Sequence, residues 1–143
     1  VGQKAAQLMV LCLQLKRNNM NYTDLKKFLN ADISASDFEK LIKEEVLVYK
    51  HNWIEKKNAP VTLNYIENEY AIIDKLHFQR VCQAFLNNDI NEYEMYYIAD
   101  AILMSEHFHF ENEEVEDLFS QITDPEINGR IDKEVIKQLL VNG

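Results

Sequence analysis

Gly129 is the only glycine away from the ends of the 143-residue chain, and it lies between two amphipathic segments. A residue without a Cβ reaches positive φ at no steric cost, so its placement marks where a chain of helices reverses. Before it, residues 113–122 carry Val115, Leu118, Phe119 and Ile122 at spacings of three and four, with acids between them. That periodicity puts the apolar residues on one side of a helix. After it, Ile131 and Ile136 flank Asp132 as a hydrophobic staple flanks an N-cap. A second helix is therefore expected from Lys133, with Ile136, Leu139 and Leu140 inward. The pattern predicts a helix, a polar loop over residues 124–129, and a helix.

Hydrophobic residues make up 47% of the chain, enough at this length for a buried core. The longest apolar run, residues 8–13, is far short of the roughly 20 residues that cross a bilayer. No charged-apolar-small leader pattern opens the sequence, and no direct membrane contact is expected. Cys12 and Cys82 sit in apolar helical patterns without metal-type spacing, which reads as two buried free thiols in a reducing, cytoplasmic setting. Charge divides the chain. Residues 1–70 carry a net +1 and residues 71–143 a net −10. Such an acidic half disfavours nucleic-acid phosphates and favours a cationic partner, or else is simply a solvated face.

Taken in order, residues 3–17 have helical periodicity through Ala5, Leu8, Met9, Cys12 and Leu15. A second helix is expected over residues 22–29 behind an Asn21 or Thr23 cap, and a third behind a Ser36/Glu39 capping box with Phe38, Leu41 and Ile42. Residues 46–49 fit the end of that helix or a strand, and residues 61–65 alternate as a strand does. Neither Gly nor Pro occurs from residue 66 to residue 86, where Ile72, Ile73, Leu76, Cys82, Phe85 and Leu86 make a helical stripe. A long connecting helix is expected there. Asn91 with Glu94 forms a capping box for a helix through Ile98, Ile102 and Leu103. His107 and His109 alternate with Phe108 and Phe110; with no third ligand placed by the sequence, a structural turn is favoured over a zinc pair.

Glu-Glu-Val-Glu-Asp-Leu-Phe at residues 113–119 and Gly-Arg-Ile-Asp-Lys-Glu-Val-Ile-Lys-Gln-Leu-Leu at residues 129–140 resemble the last EF-hand of calmodulin, with one extra residue in the entering half. An EF-hand loop needs side-chain oxygens at spaced positions and a bidentate Glu at the twelfth. Asp124, Glu126, Asn128 and Asp132 occupy such positions here, but Val135 stands at the twelfth. The resemblance thus implies a degenerate loop that holds no metal. Residues 99–115, 20–29 and 34–42 are similar to further parts of the same fold. The other three loops depart from the ligand pattern, with Leu13, Leu15 and Arg17 in the first, Lys56 and Lys57 in the second, and Glu92 and Ile98 in the third.

The resemblance implies an all-α, two-lobed calmodulin-like fold with short β contacts between loops. Its lobes would be residues 1–70 and 71–143, joined by the helix over about 66–86. A chain that keeps the apolar framework and loses the ligands is similar to divergent myosin light chains of the apicomplexan type. That family clamps a basic amphipathic neck helix of a myosin heavy chain without calcium. The partner-helix groove would then be lined by Phe85, Met95, Met104, Phe108, Phe119, Leu139 and Leu140. Two other classes share features with the chain. A winged helix-turn-helix fits residues 5–66, with residues 46–49 and 61–65 as the wing, but its recognition helix would present Asp37, Glu39, Glu44 and Glu45 to phosphates. A small acidic inhibitor of immunity type, for example of a basic nuclease toxin, shares the composition. An enzyme is not expected. The sequence has no Gly-rich phosphate loop, no nucleophile beside a spaced His and no metal triad, so it implies no cofactor either.

Overall fold

The computed structural model describes residues 20–55, 65–66, 68–123 and 128–142. The helix expected over residues 3–17 lies outside them, as do residues 61–64 of the expected strand.

Helix α1 (Tyr22–Leu29) follows strand β1 (Met20–Asn21) directly, because the Asn21 side chain accepts the Thr23 N–H at 2.7 Å and caps the first turn. The helix ends in a left-handed turn at Ala31, φ 62°, where Ala31 N–H bonds to Phe28 O and Asp32 N–H to Lys27 O. Helix α2 (Ala35–Glu55) begins at once. Its first turn is capped by Ser34, whose Oγ accepts the Asp37 N–H at 3.0 Å, so the expected Ser36/Glu39 start lies two residues too late. Phe38, Ile42, Val46 and Tyr49 continue one buried stripe. Residues 46–49 are therefore helix, and the wing strand placed there by the winged-helix reading is corrected.

After strand β2 (Tyr65–Ile66), the chain does not form the expected long helix from residue 66. Residues 71–73 are instead strand β3 (Ala71–Ile73), and helix α3 (Lys75–Leu86) begins behind a capping box. Asp74 Oδ1 accepts the His77 N–H, and His77 Nδ1 accepts the Asp74 N–H, both at 3.1 Å. The β-branched pair Ile72-Ile73 and this cap outweigh a stripe that by spacing alone suits a helix. Helix α4 (Glu92–Leu103) starts at the expected Asn91/Glu94 box, with distances of 2.8 and 2.9 Å. His107 precedes strand β4 (Phe108–Phe110), where Phe108 is buried and His109 exposed.

Helix α5 (Glu113–Gln121) is capped by Asn112 and buries Val115, Leu118 and Phe119, as the periodicity predicts. Gly129 has φ +82°, Asp132 Oδ1 accepts the Val135 N–H at 2.9 Å, and helix α6 (Lys133–Asn142) begins where expected. Both staple residues, Ile131 and Ile136, are buried.

The molecule is mostly helical. Its strands form two separate pairs, each parallel: Met20 opposite Tyr65, and Ala71, Ile72 and Ile73 opposite Phe108, His109 and Phe110. A parallel pair requires a crossover, and among the described residues two helices lie between the partners in each case. The order β-α-α-β thus occurs twice, and a sequence echo marks the centre of each unit. Phe-Leu-Asn-Ala-Asp-Ile at residues 28–33 and Phe-Leu-Asn-Asn-Asp-Ile at residues 85–90 agree at five of six positions. The second copy closes α3 as the first closes α1: Asn88 has φ 64°, Asn88 N–H bonds to Phe85 O and Asp89 N–H to Ala84 O.

Helix α2 packs on α4, α1 on α2 and α3, and α3 on α4, α5 and α6. One buried cluster runs from Met20 to Ile136 and draws on described residues from both sides of residue 70. Polar contacts cross the same line. Arg80 donates to Phe28 O and Ile33 O, and His77 Nε2 meets Asn30 Oδ1 at 2.9 Å. The second unit therefore grips the turn of the first.

Candidate functional site

From Val81 to Gly129 the chain contains no lysine or arginine, while it contains twelve aspartates and glutamates. The fold decides which of these face outward. With Val115, Leu118 and Phe119 inward, Glu113, Glu114, Glu116 and Asp117 form an exposed face of α5, continued by exposed Glu111 and Glu106. Carboxylates in the first turn favour the positive end of the helix dipole, so local stability accounts for part of this enrichment. It does not account for the absence of lysine and arginine over the whole interval, which leaves the outward face of α5 acidic along its length.

An open cleft of about 610 Å³ lies between the start of α2, the α3–α4 turn, the start of α4 and Lys133 of α6. Ser36, Glu39, Phe85, Asp89, Glu92 and Glu94 are in its lining. Glu94 is 3% exposed. Its Oε1 accepts the Asn91 N–H of the capping box, while Oε2 is buried on the side of the Glu39 carboxyl, with which Glu94 shares a hydrogen bond. Burial pushes the Glu94 carboxyl up to about 7; the Asn91 N–H opposes this, the nearby Glu39 carboxyl reinforces it and Lys43 offsets part of it. Glu92 is in a different state, paired with Arg130 and accepting a hydrogen bond from Tyr96. Tyr96 in turn accepts the Ile131 N–H at 3.1 Å, which fastens the loop after Gly129 to α4.

Behind this surface, a polar network holds α2 to α4. Glu45, 4% exposed, accepts the Met20 N–H at 2.9 Å and the Tyr97 hydroxyl through the same oxygen, Oε2. Tyr49 donates to Asp100 Oδ2 at 2.6 Å, and Tyr22 donates to Ala101 O. Burial and then the Asp100 charge raise Tyr49 above the ordinary phenol range, so it remains a donor at every physiological pH. These groups fix element positions.

The residues expected to line a partner-helix groove are distributed differently. Met95, Phe108 and Phe119 are fully packed in the core, Phe85 lies at its edge beside the cleft, Leu139 and Leu140 are half-buried, and Met104 is exposed. Of the degenerate loop, Asp124 and Glu126 lie outside the described residues. Asn128 donates through Nδ2 to Ser120 O and Thr123 O, and Asp132 caps α6, so both serve the turn. Among the described residues no group of three His, Cys, Asp or Glu side chains is arranged to hold a metal ion. Cys82 is buried, and burial pushes its thiol to about 12, which leaves it without nucleophilic character. Glu94 was visible in the sequence as a capping residue, and Glu39 as a capping residue and an acid on the outward side of its helix. Their convergence depends on how α2 packs on α4, and no local pattern carries that information.

No helix among the described residues is long and apolar enough to cross a membrane. Comparison with models of protein families, with curated proteins and with solved structures gives no match.

Proposed function

We propose that the chain is a non-catalytic acidic binding protein of the inhibitor type, and that its partner is a protein with a strongly basic surface. The observation that carries this reading is the acidic interval without lysine or arginine, residues 81–129, displayed in part on the exposed face of α5 over a packed inner face. Complementary charge accelerates encounter and rejects wrong partners, and a helix fixed by its own core holds its carboxylates in place without further ordering. A catalytic reading has little to support it. The open cleft offers a perturbed carboxyl but neither a histidine nor a cysteine beside it.

A myosin light chain remains the second reading. It is favoured by the helices α5 and α6 on either side of Gly129, which has positive φ, the helix order that the EF-hand resemblance implies. It requires a lobe to open and expose Met95, Phe108 and Phe119 to a neck helix, which the packed core opposes.

Affinity capture with the immobilised chain tests both. The comparison variant changes Glu113, Glu114 and Glu116 to Gln and Asp117 to Asn. The inhibitor reading expects a basic protein that is retained at low salt, released at about 0.5 M salt, lost with the variant, and reduced in activity when the purified chain is added. Recovery of a myosin heavy chain, resistant to both chelator and salt, would establish the second reading instead. Captured proteins indifferent to the variant and to salt would remove the first.

A further inference from the structure

Strand β4 pairs with β3 along one edge only. Ala71 N–H donates to His107 O at 3.3 Å and Glu111 N–H to Ile73 O at 2.8 Å, so the odd-numbered residues of this stretch turn their backbone groups toward β3. Backbone direction alternates along a strand, and Phe108 and Phe110 therefore turn theirs the other way. Phe108 N–H is taken by Ser105 Oγ at 2.9 Å. Phe108 O and both the N–H and the C=O of Phe110 have no hydrogen-bond partner among the described residues. Beside β4 is an open cleft of about 410 Å³ that Leu103, Phe108, Phe110, Glu113 and Glu116 help to line. An unpaired strand edge is a template for another strand, and this one adjoins exposed carboxylates from the start of α5.

We propose that the open edge of β4 receives an extended segment of the basic partner as an added antiparallel strand, with a cationic side chain set against Glu113 and Glu116. The inference rests on the binding-protein reading above and deepens it. Phe110 offers a donor and an acceptor together, which is what one residue of an antiparallel partner engages through its own C=O and N–H. Two residues further along that partner, a second N–H meets Phe108 O, and the bond from Ser105 closes the edge there. The residue opposite Phe110 lies nearest the α5 carboxylates and is the cationic one; the residue opposite Phe108 meets Leu103 and is apolar. A second copy of the chain is a poorer occupant. Two such edges brought together about a two-fold axis would set Glu113 and Glu116 of each against those of the other.

The test uses the ¹⁵N-labelled full chain, with the peptide acetyl-Ser-Thr-Arg-Thr-Val-Thr-Ser-amide as the probe. The expected result is a saturable downfield shift of the Phe110 amide and slower hydrogen exchange at that N–H, with the His109 and Glu111 amides, already bonded to β3, moving less. Methylating the arginine backbone nitrogen removes a donor to Phe110 O and should weaken binding about tenfold or more. Methylating the next nitrogen, which faces away from β4, should change it less than about twofold. Citrulline in place of arginine should weaken binding by about threefold or more, and the Glu113→Gln, Glu116→Gln double variant should erase that difference. No shift at Phe110 at high peptide concentration, equal loss from either methyl group, or a response centred on Ile72 at the outer edge of β3 would overturn the proposal. Failure of the peptide together with salt-sensitive capture through α5 would remove the added strand and keep the basic partner. A positive peptide titration with failed capture would sink the partner reading and keep β4 as a strand-binding edge.

Discussion

Glu94 shows how one side chain can answer two demands. As the N3 residue of α4 it must present an oxygen to the Asn91 N–H, and as a residue facing α2 it must be buried near Glu39. The first demand suits a carboxylate and the second does not, which is why its titration moves to about 7 from an ordinary value near 4.3. The sign of the stability effect follows. The folded state holds a proton that the unfolded chain releases between roughly pH 4.3 and 7, so this residue's contribution is fully present below that window and is lost as pH rises through it. Glu94→Gln keeps the cap and removes the charge. It should therefore be nearly neutral at pH 4 and stabilising by on the order of 1 kcal/mol at pH 8. Urea midpoints of the two proteins at both pH values measure this. A gap that does not widen with pH would show that Glu94 titrates in the fold as it does in the unfolded chain. Residue-level signals were otherwise the most readable part of the sequence. Asn91 and Asp132 cap the helices they were expected to cap, Asn21 is the one of the two caps offered for α1 that the structure uses, and Gly129 takes the positive φ its isolation implied. Each depends only on neighbours within about four residues, which is the range that a sequence displays directly.

At the scale of elements, periodicity identified faces well and identities less well. The stripe through Val115, Leu118, Phe119 and Ile122 is buried as predicted. The stripe assigned to a helix over about 66–86 is half correct: α3 takes residues 75–86, while Ala71, Ile72 and Ile73 pair with Phe108, His109 and Phe110. A strand of three residues has too few positions to show a period of two, and its partner lies across two helices, so the pairing leaves no local trace. Helix α5 permits a direct separation of its two faces. Phe119 contacts Phe78 and Phe110 with ring centroids 5.2 and 5.7 Å apart and is fully buried. Phe119→Ala should cost about 3–5 kcal/mol. Changing Glu113 or Glu116 to Gln should shift stability by no more than about 0.5 kcal/mol, because those side chains are exposed and lose only a dipole contribution. Denaturant titration of the three variants reads both effects. A Phe119→Ala variant of native stability would return this residue from the core to a partner-binding groove.

The architecture of the whole molecule was the least legible. Two β-α-α-β units with matching turns are interleaved so that Arg80 and His77 of the second hold the turn of the first, and Tyr22 and Tyr49 reach Ala101 and Asp100. The echo at residues 28–33 and 85–90 was present in the sequence, but six residues are a weak signal beside a charge boundary near residue 70 that invites division into lobes. Charge follows the surface, and domain boundaries follow the core. The two readings make opposite statements about cooperativity. Separate lobes with separate cores unfold in steps, as weakly coupled units do. A single cluster that takes Tyr22, Phe28 and Phe38 from one unit and Phe78, Tyr97 and Phe108 from the other cannot lose half its members and keep the rest packed, since each half would expose the face the other covers. Calorimetry of the full chain should therefore give one transition, with a calorimetric enthalpy equal to the van't Hoff enthalpy. Arg80→Met, which removes the donors to Phe28 O and Ile33 O and keeps much of the apolar stem, should lower that single midpoint without dividing the peak. Two resolved transitions in the native protein, or an Arg80→Met variant that separates one peak into two, would mean that the units are coupled only through this clamp and that two lobes describe the chain better than one core.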